Sequence, residues 1–267
     1  MIKTIQKIYK NIKNIYNNNP SDMLTIISGS CFMLSLVVII SLIENNVFGT
    51  QNQSSMQYLI FNISTQLFYT GMMIGLIKLI FKTIDLQEKN IKDIFNYFEL
   101  LPKMVIASLL TYLLLALSIL PSCLIIYMKY GFKELYSLIQ ASANKNFELE
   151  ALIGAYFNSL DFLFIFSIIL LPLLYVSLRT SFINFYIIDK SFSPLQSLHK
   201  SWEITKTEIF NIFTYLVLLI ILNLVIAIIS FGFGVLFSFP VSLIFWCYYY
   251  RQIDAKYNFK KYKGHNE

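Results

Sequence analysis

The sequence predicts an all-α fold, that of a polytopic membrane protein with six transmembrane helices and amphipathic helices on its cytoplasmic side. Of the 267 residues, 57% are hydrophobic and only 13% are charged, whereas a soluble domain is about 45–50% apolar and about 25% charged. The apolar residues form long uncharged runs without period-two alternation, which favours helices over the strands of a membrane barrel. This composition excludes an ordinary soluble domain, a disordered chain and a nucleic-acid-binding arm, so we expect no nucleic-acid partner.

Six apolar runs are long enough to cross a bilayer core, which is about 30 Å thick and needs about 20 helical residues. The first run has 21 uncharged residues, longer than the apolar part of a signal peptide (about 7–15 residues), so we expect it to stay uncleaved. The last two come from one run of 42 uncharged residues, divided where Gly232 and Gly234 permit a tight turn. The chain is therefore predicted as a single membrane domain, 1–267, with spans at about 23–43, 56–80, 104–128, 161–187, 209–230 and 233–250.

The distribution of lysine and arginine predicts the orientation of these spans. With the N-terminus in the cytoplasm, 18 of the 21 basic residues lie on the cytoplasmic side, and only Lys129, Lys133 and Lys145 lie outside. By the positive-inside rule, both termini are expected in the cytoplasm, with 251–267 as a basic cytoplasmic tail. The frequent use of Asn, Lys, Ile and Tyr is typical of an AT-rich genome, so the expected location is a bacterial inner membrane.

Three segments have the pattern of helices that lie in the cytoplasmic membrane interface. In residues 1–20, five isoleucines share one helical face, and the opposite face carries Lys3, Lys7, Lys10 and Lys13. Such a helix is attracted to anionic lipid, although a soluble basic tail would show the same charges. The other two segments are 90–101 and 193–208, the second of which begins with a Ser193–Gln196 capping box.

The second and third of these segments match at an offset of 104 residues, which predicts an internal duplication. Asp85 matches Asp189 and Phe81 matches Phe185, and a Glu, an aromatic residue and two aliphatic residues match further along. Each unit would be an interfacial helix followed by a transmembrane hairpin entering from the same side. The repeat is therefore parallel, unlike the inverted repeats of many secondary transporters.

The C-terminal third contains several short motifs in a fixed order. Arg179 lies late in one span, the amphipathic segment contains Ser193–Leu195 and Ser201–Lys206, and a Gly-Phe-Gly turn, Phe239–Pro240 and Tyr248–Arg251 follow. Over about residues 160–252 this pattern resembles the membrane domain associated with bacterial glycerophosphoryl diester phosphodiesterases and its free-standing multi-pass relatives. The resemblance implies a membrane domain without phosphodiesterase activity, because catalysis in such fusions would belong to a separate soluble domain.

Two basic residues, Arg179 and Lys78, lie inside apolar stretches near the cytoplasmic ends of their spans. Snorkelling of their charges to the interface would explain both. The alternative is contact with a lipid phosphate or with a partner's carboxylate, because a charge within the bilayer usually has a function. Trp202 and the four N-terminal lysines are further candidates for lipid or partner contact.

Several other residues in the spans indicate close packing or a polar path. Gly71 and Gly75 form a small-xxx-small pattern that predicts close helix packing. Asn223 lies near the middle of the fifth span, and the second span holds Asn62 and Gln66. Interhelical hydrogen bonds are one explanation for these amides, and a permeation path that also includes Arg179 is the other.

Catalytic and metal-binding patterns are missing from the sequence. It has no nucleotide-binding loop, no His-Glu-x-x-His and no Cys-x-x-Cys, and its three cysteines lie in separate apolar runs. Ser197, His199 and Ser201 are close in sequence, but residues two apart on a helix do not face each other. We therefore expect no catalytic residue, no metal and no cofactor.

Three functions are compatible with this pattern. The first is a non-enzymatic membrane protein that organises anionic lipid at the cytoplasmic face or scaffolds a partner protein. The second is a small permease or channel for an amphiphilic or small solute. The third, an intramembrane lipid-modifying enzyme, would need acid, base or metal ligands clustered near one interface, and the sequence has only scattered carboxylates in its loops.

Overall fold

The computed structural model describes residues 20–48, 56–88, 90–130 and 159–263, together with the single positions 6, 10, 13 and 17. These residues form helices joined by turns and contain no β-strand, so the all-α class is confirmed. Most of the segment predicted as a basic N-terminal helix, including Lys3 and Lys7, lies outside the described residues. Its two described lysines, Lys10 and Lys13, are helical and exposed.

Eight α-helices and two 3-10 turns make up the described part of the chain. The 3-10 turns, Ile91–Phe95 and Phe98–Leu100, lie between the second and third helices. The helices are α1 (Pro20–Phe48), α2 (Met56–Ile84), α3 (Leu101–Tyr130), α4 (Ser159–Thr180), α5 (Ile183–Lys190), α6 (Pro194–Thr205), α7 (Ile209–Ile229) and α8 (Val235–Lys263).

Five helical segments among the described residues are long and apolar enough to cross a membrane. They are Pro20–Glu44, Met56–Ile84, Lys92–Ile125, Phe166–Lys190 and Ile209–Ile229. Of the interval 233–250, predicted as a sixth span, residues 235–250 lie in α8, which is not among the five, and residues 233–234 belong to the preceding turn. The apolar first half of α8 continues without a break into a charged second half that ends at Lys263.

The stretch predicted as one span at 161–187 is two helices in the structure. Helix α4 ends at Thr180, residues 181–182 form a turn, and α5 begins at Ile183. The Phe182 amide donates to the Ser201 hydroxyl at 3.3 Å. The Thr180 and Ser181 hydroxyls donate to the carbonyls of Val176 and Leu178. Hydroxyl bonds of this kind compete with the helical ladder, which accounts for the interruption.

The segment at 90–101, predicted as one amphipathic helix, is a pair of 3-10 turns followed by the start of α3. Asn90 and Asp93 form a capping box at its beginning, and the Lys82 ammonium lies 2.8 Å from Asp93. The segment also lies directly against α2, because a Cβ built on Gly75 would overlap the Ile94 backbone. Gly71 and Gly75 therefore give room for the close approach of Phe98 and Ile94.

The described chain divides into two compact units. The first comprises Met1–Ala107 and Phe182–Glu267, and the second comprises Ser108–Ser181. In the first unit, the core is formed by the C-terminal half of α2, by α5 and by the middle of α8, where Phe81, Phe182, Tyr186 and Tyr250 are at most 2% exposed.

Two prolines inside helices receive hydrogen-bond compensation from a neighbouring helix. A proline has no N–H, so the carbonyl four residues before it loses its helical partner. Pro172 leaves the carbonyl of Ile168 free in this way, and the buried Ser122 hydroxyl of α3 donates to it at 2.8 Å. Pro240 leaves the carbonyl of Leu236, which lies 3.9 Å from the Cys31 thiol of α1.

Candidate functional site

One end of the first unit collects charged side chains from α2, α3, α5, α6 and α8. Their hydrogen bonds and ion pairs join these elements to one another, so they lie in one region of the unit. We call this region the charged end. Its members are Lys78, Lys82, Asp85, Asp93, Lys103, Asp189, Lys190, Lys200, Glu203, Glu208, Arg251, Asp254 and Lys256.

Arg251 is at the centre of the charged end. Its guanidinium lies 2.9 Å from the carboxylate of Asp85 and 2.7 Å from that of Asp189. Asp85 follows α2, and Asp189 is the penultimate residue of α5. The side chain of Asp189 is 6% exposed and that of Asp85 is 39% exposed, so one of the two ion pairs is buried and the other faces outward.

An aromatic cluster lies beneath Arg251. The guanidinium is 5.0 Å from the centre of the Phe81 ring, and Phe81 meets Phe185 edge to face at 6.1 Å. Tyr250 stacks on Phe185 at 5.4 Å and donates its hydroxyl proton to Asp189 at 3.1 Å. The two Phe-x-x-x-Asp sequences that begin at Phe81 and Phe185 therefore meet around the consecutive residues Tyr250 and Arg251.

Two lysines bind the C-terminal end of α5 from other helices. The Lys78 ammonium donates to the Ile188 carbonyl at 3.0 Å, and Lys103 donates to the Ser191 carbonyl at 3.3 Å. Carbonyls at a helix C-terminus lack helical partners and carry partial negative charge, so lysines are favourable there. Lys78, predicted as a snorkelling or lipid-contact residue, is thus a cap for α5.

Helix α6 and the segment after it are attached to α8 by acidic side chains. The Tyr257 hydroxyl donates to Glu203, and Lys256 forms an ion pair with Glu208 just beyond α6. The hydrogen bond to Glu203 raises the pKa of Tyr257 to about 12. Ser197 and Ser201 are fully buried, which turns the serine face of α6 toward the protein.

The apolar face predicted for α6 points away from the protein core. Leu195 is 66% exposed, while Leu198 and Trp202 are half-buried. The Ser193–Gln196 capping box and Pro194 at the first helical position fix the start of this helix. Trp202 therefore lies on the outward side of a helix whose opposite face is held by the first unit.

The other residues singled out from the sequence have contacts within their own units. Arg179 belongs to the second unit, where it is buried and its guanidinium lies 5.8 Å from the centre of the Tyr175 ring. Asn223 of α7 donates to the Ser242 hydroxyl of α8 at 2.7 Å. Asn62 donates to Glu44 at 3.3 Å, so the two amides have different partners.

The sequence reasoning missed three parts of the charged end. In the sequence, Arg251 is only the last residue of the motif Tyr248–Arg251, and its two ion pairs are not predicted. The 2.6 Å hydrogen bond between Tyr186 and Asp254 and the bond from Lys103 to the Ser191 carbonyl are not predicted either. The equal spacing of Asp85 and Asp189 in the two matched segments was the available signal for Arg251. For the other two contacts the sequence held no signal, because their residues are far apart along the chain.

The charged end presents ion pairs and hydrogen bonds between side chains of several elements. Among the described residues, no group of three or more His, Cys, Asp and Glu side chains could hold a metal ion. Ser201 accepts a backbone hydrogen bond and Ser197 is buried on the same face, whereas His199 is exposed. Comparison with known proteins gives no match to a family model, to a curated protein or to a solved structure.

Proposed function

We propose that this chain is a non-enzymatic integral membrane protein whose charged end binds and organises anionic lipid at the cytoplasmic surface of a bacterial inner membrane. The observation that carries the proposal is the direction of the ion pairs. In the pair Lys190–Asp189, the lysine side chain is 38% exposed and the carboxylate 6% exposed. In the pair Lys256–Glu208 the corresponding values are 54% and 10%. In these two pairs the carboxylate faces the protein and the lysine faces outward, whereas Asp85 and Glu203 are more exposed than their basic partners. The proposal therefore depends on the outward lysines Lys190 and Lys256.

Other exposed groups extend this positive surface. Lys92 and Lys206 are exposed, as are Lys10 and Lys13 of the N-terminal segment. Leu195 and Trp202 supply an outward apolar face on α6, as an interfacial helix requires. Each basic residue near an anionic membrane surface contributes about 1 kcal/mol of attraction, so a few outward lysines suffice for selection among lipid headgroups.

The proposal includes a topology of six membrane-crossing segments, with the interval 233–250 as the sixth and both termini in the cytoplasm. The lysine distribution supports this orientation. It also includes a parallel internal duplication, supported by the meeting of Phe81 with Phe185 and of both matched aspartates with Arg251. We also propose that the chain is related to the membrane domain associated with bacterial glycerophosphoryl diester phosphodiesterases, on the basis of the motifs of residues 160–252.

A charge-removal experiment with a matched control tests the lipid proposal. The test variant replaces Lys190, Lys206 and Lys256 by Gln, and the control replaces Lys129, Lys133 and Lys145, the three lysines predicted on the outer side. Both variants lose three positive charges. Native mass spectrometry of the purified proteins, supplied with equal amounts of anionic and zwitterionic phospholipid, then measures which lipid stays bound.

We expect the test variant to lose most of its preference for anionic lipid and the control to keep it. Three residues at about 1 kcal/mol each correspond to a change of about 100-fold in relative lipid association. Equal lipid selectivity in both variants would contradict the proposal. Unchanged lipid binding together with loss of a co-purified protein from the test variant would replace lipid organisation by partner scaffolding.

A further inference from the structure

The turn between α7 and α8, residues 230–234, has a composition that is unusual for an exposed turn. We call it the hairpin tip. It contains no charged residue, and its two aromatic side chains, Phe231 and Phe233, are 93% and 76% exposed. Ile229, just before the tip, is 74% exposed. A turn that meets water normally carries polar residues, so this apolar surface calls for an apolar neighbour.

The backbone amides of the hairpin tip all donate to oxygens of the tip or of the last turns of α7. Every amide N–H from residue 230 to residue 238 donates to a protein oxygen, and seven carbonyls between residues 226 and 234 accept these bonds. The Ser230 hydroxyl donates to the Ile226 carbonyl at 2.6 Å and accepts from the Gly234 amide at 2.7 Å. The one hydroxyl of the tip is therefore engaged in both directions.

The local geometry requires the two glycines at their positions. Gly232 has a φ of +91°, a conformation that side-chain-bearing residues rarely adopt. At Gly234, a Cβ would lie 2.5 Å from the Ser230 hydroxyl, so only glycine permits the hydrogen bond there. Phe231 also has a positive φ of 51°, where Gly or Asn would be less strained. Phe231 thus places a bulky apolar side chain at a strained backbone position.

The lengths of the two helices place the hairpin tip near the far boundary of the hydrocarbon. At 1.5 Å per residue, α7 with its 21 residues is about 30 Å long, equal to the bilayer core. The stretch of α8 from Val235 to Tyr250 is shorter, about 24 Å by the same rise. Hence a hairpin whose open end lies at one interface reaches the outer edge of the core and no further.

We propose that the hairpin tip turns inside the outer-leaflet hydrocarbon, with Phe231 and Phe233 in contact with lipid acyl chains. Unpaired backbone amides are costly in hydrocarbon, and the tip has none between residues 230 and 238. This assignment concerns the end of the unit opposite to the charged end and does not depend on anionic-lipid binding there. The α7–α8 hairpin then displays no aqueous loop at the outer surface.

Spin labels placed by single cysteines test the depth of the tip in liposomes. The background carries Cys31→Ser and Cys123→Ala, and the fully buried Cys247 is retained. The test position is Phe231→Cys, with Phe233→Cys as its duplicate in case one variant folds poorly. Collision rates are then measured with oxygen, which concentrates in hydrocarbon, and with a polar nickel chelate, which stays in water.

Two exposed positions serve as references for these measurements. Met56→Cys, at the start of α2, is 73% exposed and follows the polar sequence Gln51–Ser55, so it represents water. Ile221→Cys, near the middle of α7, is 53% exposed and represents hydrocarbon.

The expected result is an oxygen-to-nickel collision ratio at Phe231 that resembles the ratio at Ile221 and exceeds the ratio at Met56 severalfold. A ratio like that at Met56 would overturn the proposal and put the tip in water. Low collision rates with both reagents would overturn it in another way, because protein, such as a second copy of the chain, would then cover the tip.

Discussion

Replacement of Arg251 by methionine gives the most direct test of how the charged end is held together. The substitution keeps an unbranched apolar stem over the Phe81 ring but removes the guanidinium between two carboxylates. Removing one member of a buried ion pair costs about 3–5 kcal/mol, because the other charge is left buried without its partner. An exposed pair contributes only about 0–1 kcal/mol. The two carboxylates should therefore respond very differently to the loss of Arg251.

The burial of each aspartate sets the expected magnitudes. Asp189 is 6% exposed, and after the substitution it keeps the Tyr250 hydroxyl at 3.1 Å and the half-exposed Lys190 ammonium at 3.6 Å. The loss for Arg251→Met should thus lie at the lower end of the range, at about 3 kcal/mol. Asp85 is 39% exposed, so Asp85→Asn alone should cost less than about 1 kcal/mol. Adding Asp189→Asn to Arg251→Met should recover about 2 kcal/mol, because no unpaired buried charge remains.

The free energy of unfolding can be followed by denaturant titration of the detergent-solubilised protein with tryptophan fluorescence. Trp246 stacks on Phe182 at 5.2 Å and on Tyr215 at 5.7 Å, so its emission should report loss of the core of the first unit. The argument fails if Asp85→Asn destabilises as much as Arg251→Met. It also fails if the double variant is no more stable than the single one.

Further predictions use the denaturant titration, and the last one uses ultraviolet absorbance. Ser122→Ala should lower the free energy of unfolding by about 1 kcal/mol, because the carbonyl freed by Pro172 loses the hydroxyl that donates to it; no change would mean that the contact is dispensable. Gly75→Ala should cost about 1–3 kcal/mol, because the added Cβ would overlap the backbone of Ile94; the same cost in a variant that lacks residues 91–100 would contradict this reason. Gly232→Ala should cost about 1–2 kcal/mol through the positive φ of Gly232 alone. Since the hydrogen bond to Glu203 raises the pKa of Tyr257 from 10.0 to about 12, its stabilisation should be full below pH 10 and vanish as the pH rises toward 12. Ultraviolet difference titration of Tyr257→Phe against the parent should therefore lack one tyrosine transition near pH 12, and an unchanged titration would refute the assignment.

Local pattern was enough to predict the helices, and contacts between distant segments explain where the prediction was wrong. The break between α7 and α8 followed from uncharged length and two glycines, and the structure has its turn at residues 230–234. The break at residues 181–182 could not be predicted, because the Phe182 amide bonds to a serine on a later helix. The 91–100 segment kept its helical periodicity in sequence, but its close approach to Gly75 depends on how α2 passes beside it.

Among the charged residues, too, some positions can be recognised from local sequence and others only from contacts between distant segments. Asp85 and Asp189 stood out because two matched segments carry them at the same place, yet nothing local to Arg251 distinguishes it from a basic residue that only sets orientation. Lys78 offered two interpretations from sequence, a snorkelling anchor or a lipid contact. Its bond to the Ile188 carbonyl is a third role, which depends on α5 ending beside α2. A basic residue near a span end can therefore be a helix cap, and only tertiary structure distinguishes that role from the others.

The prolines indicate the medium in which the helices are stable. In water, a carbonyl freed by a proline can bond to solvent, so no protein donor is needed. In hydrocarbon, the same carbonyl is satisfied by a neighbouring helix, by a Ser or Thr side chain or by a local change of the helix. The hydroxyl of Ser122 and the thiol of Cys31 lie at the carbonyls freed by Pro172 and Pro240, in two separate units of the chain. The thiol is the weaker donor at 3.9 Å, so Cys31→Ser should preserve or strengthen its contact, while Cys31→Ala should remove it. Small polar residues that look incidental in an apolar run are thus explained by a proline on the neighbouring helix.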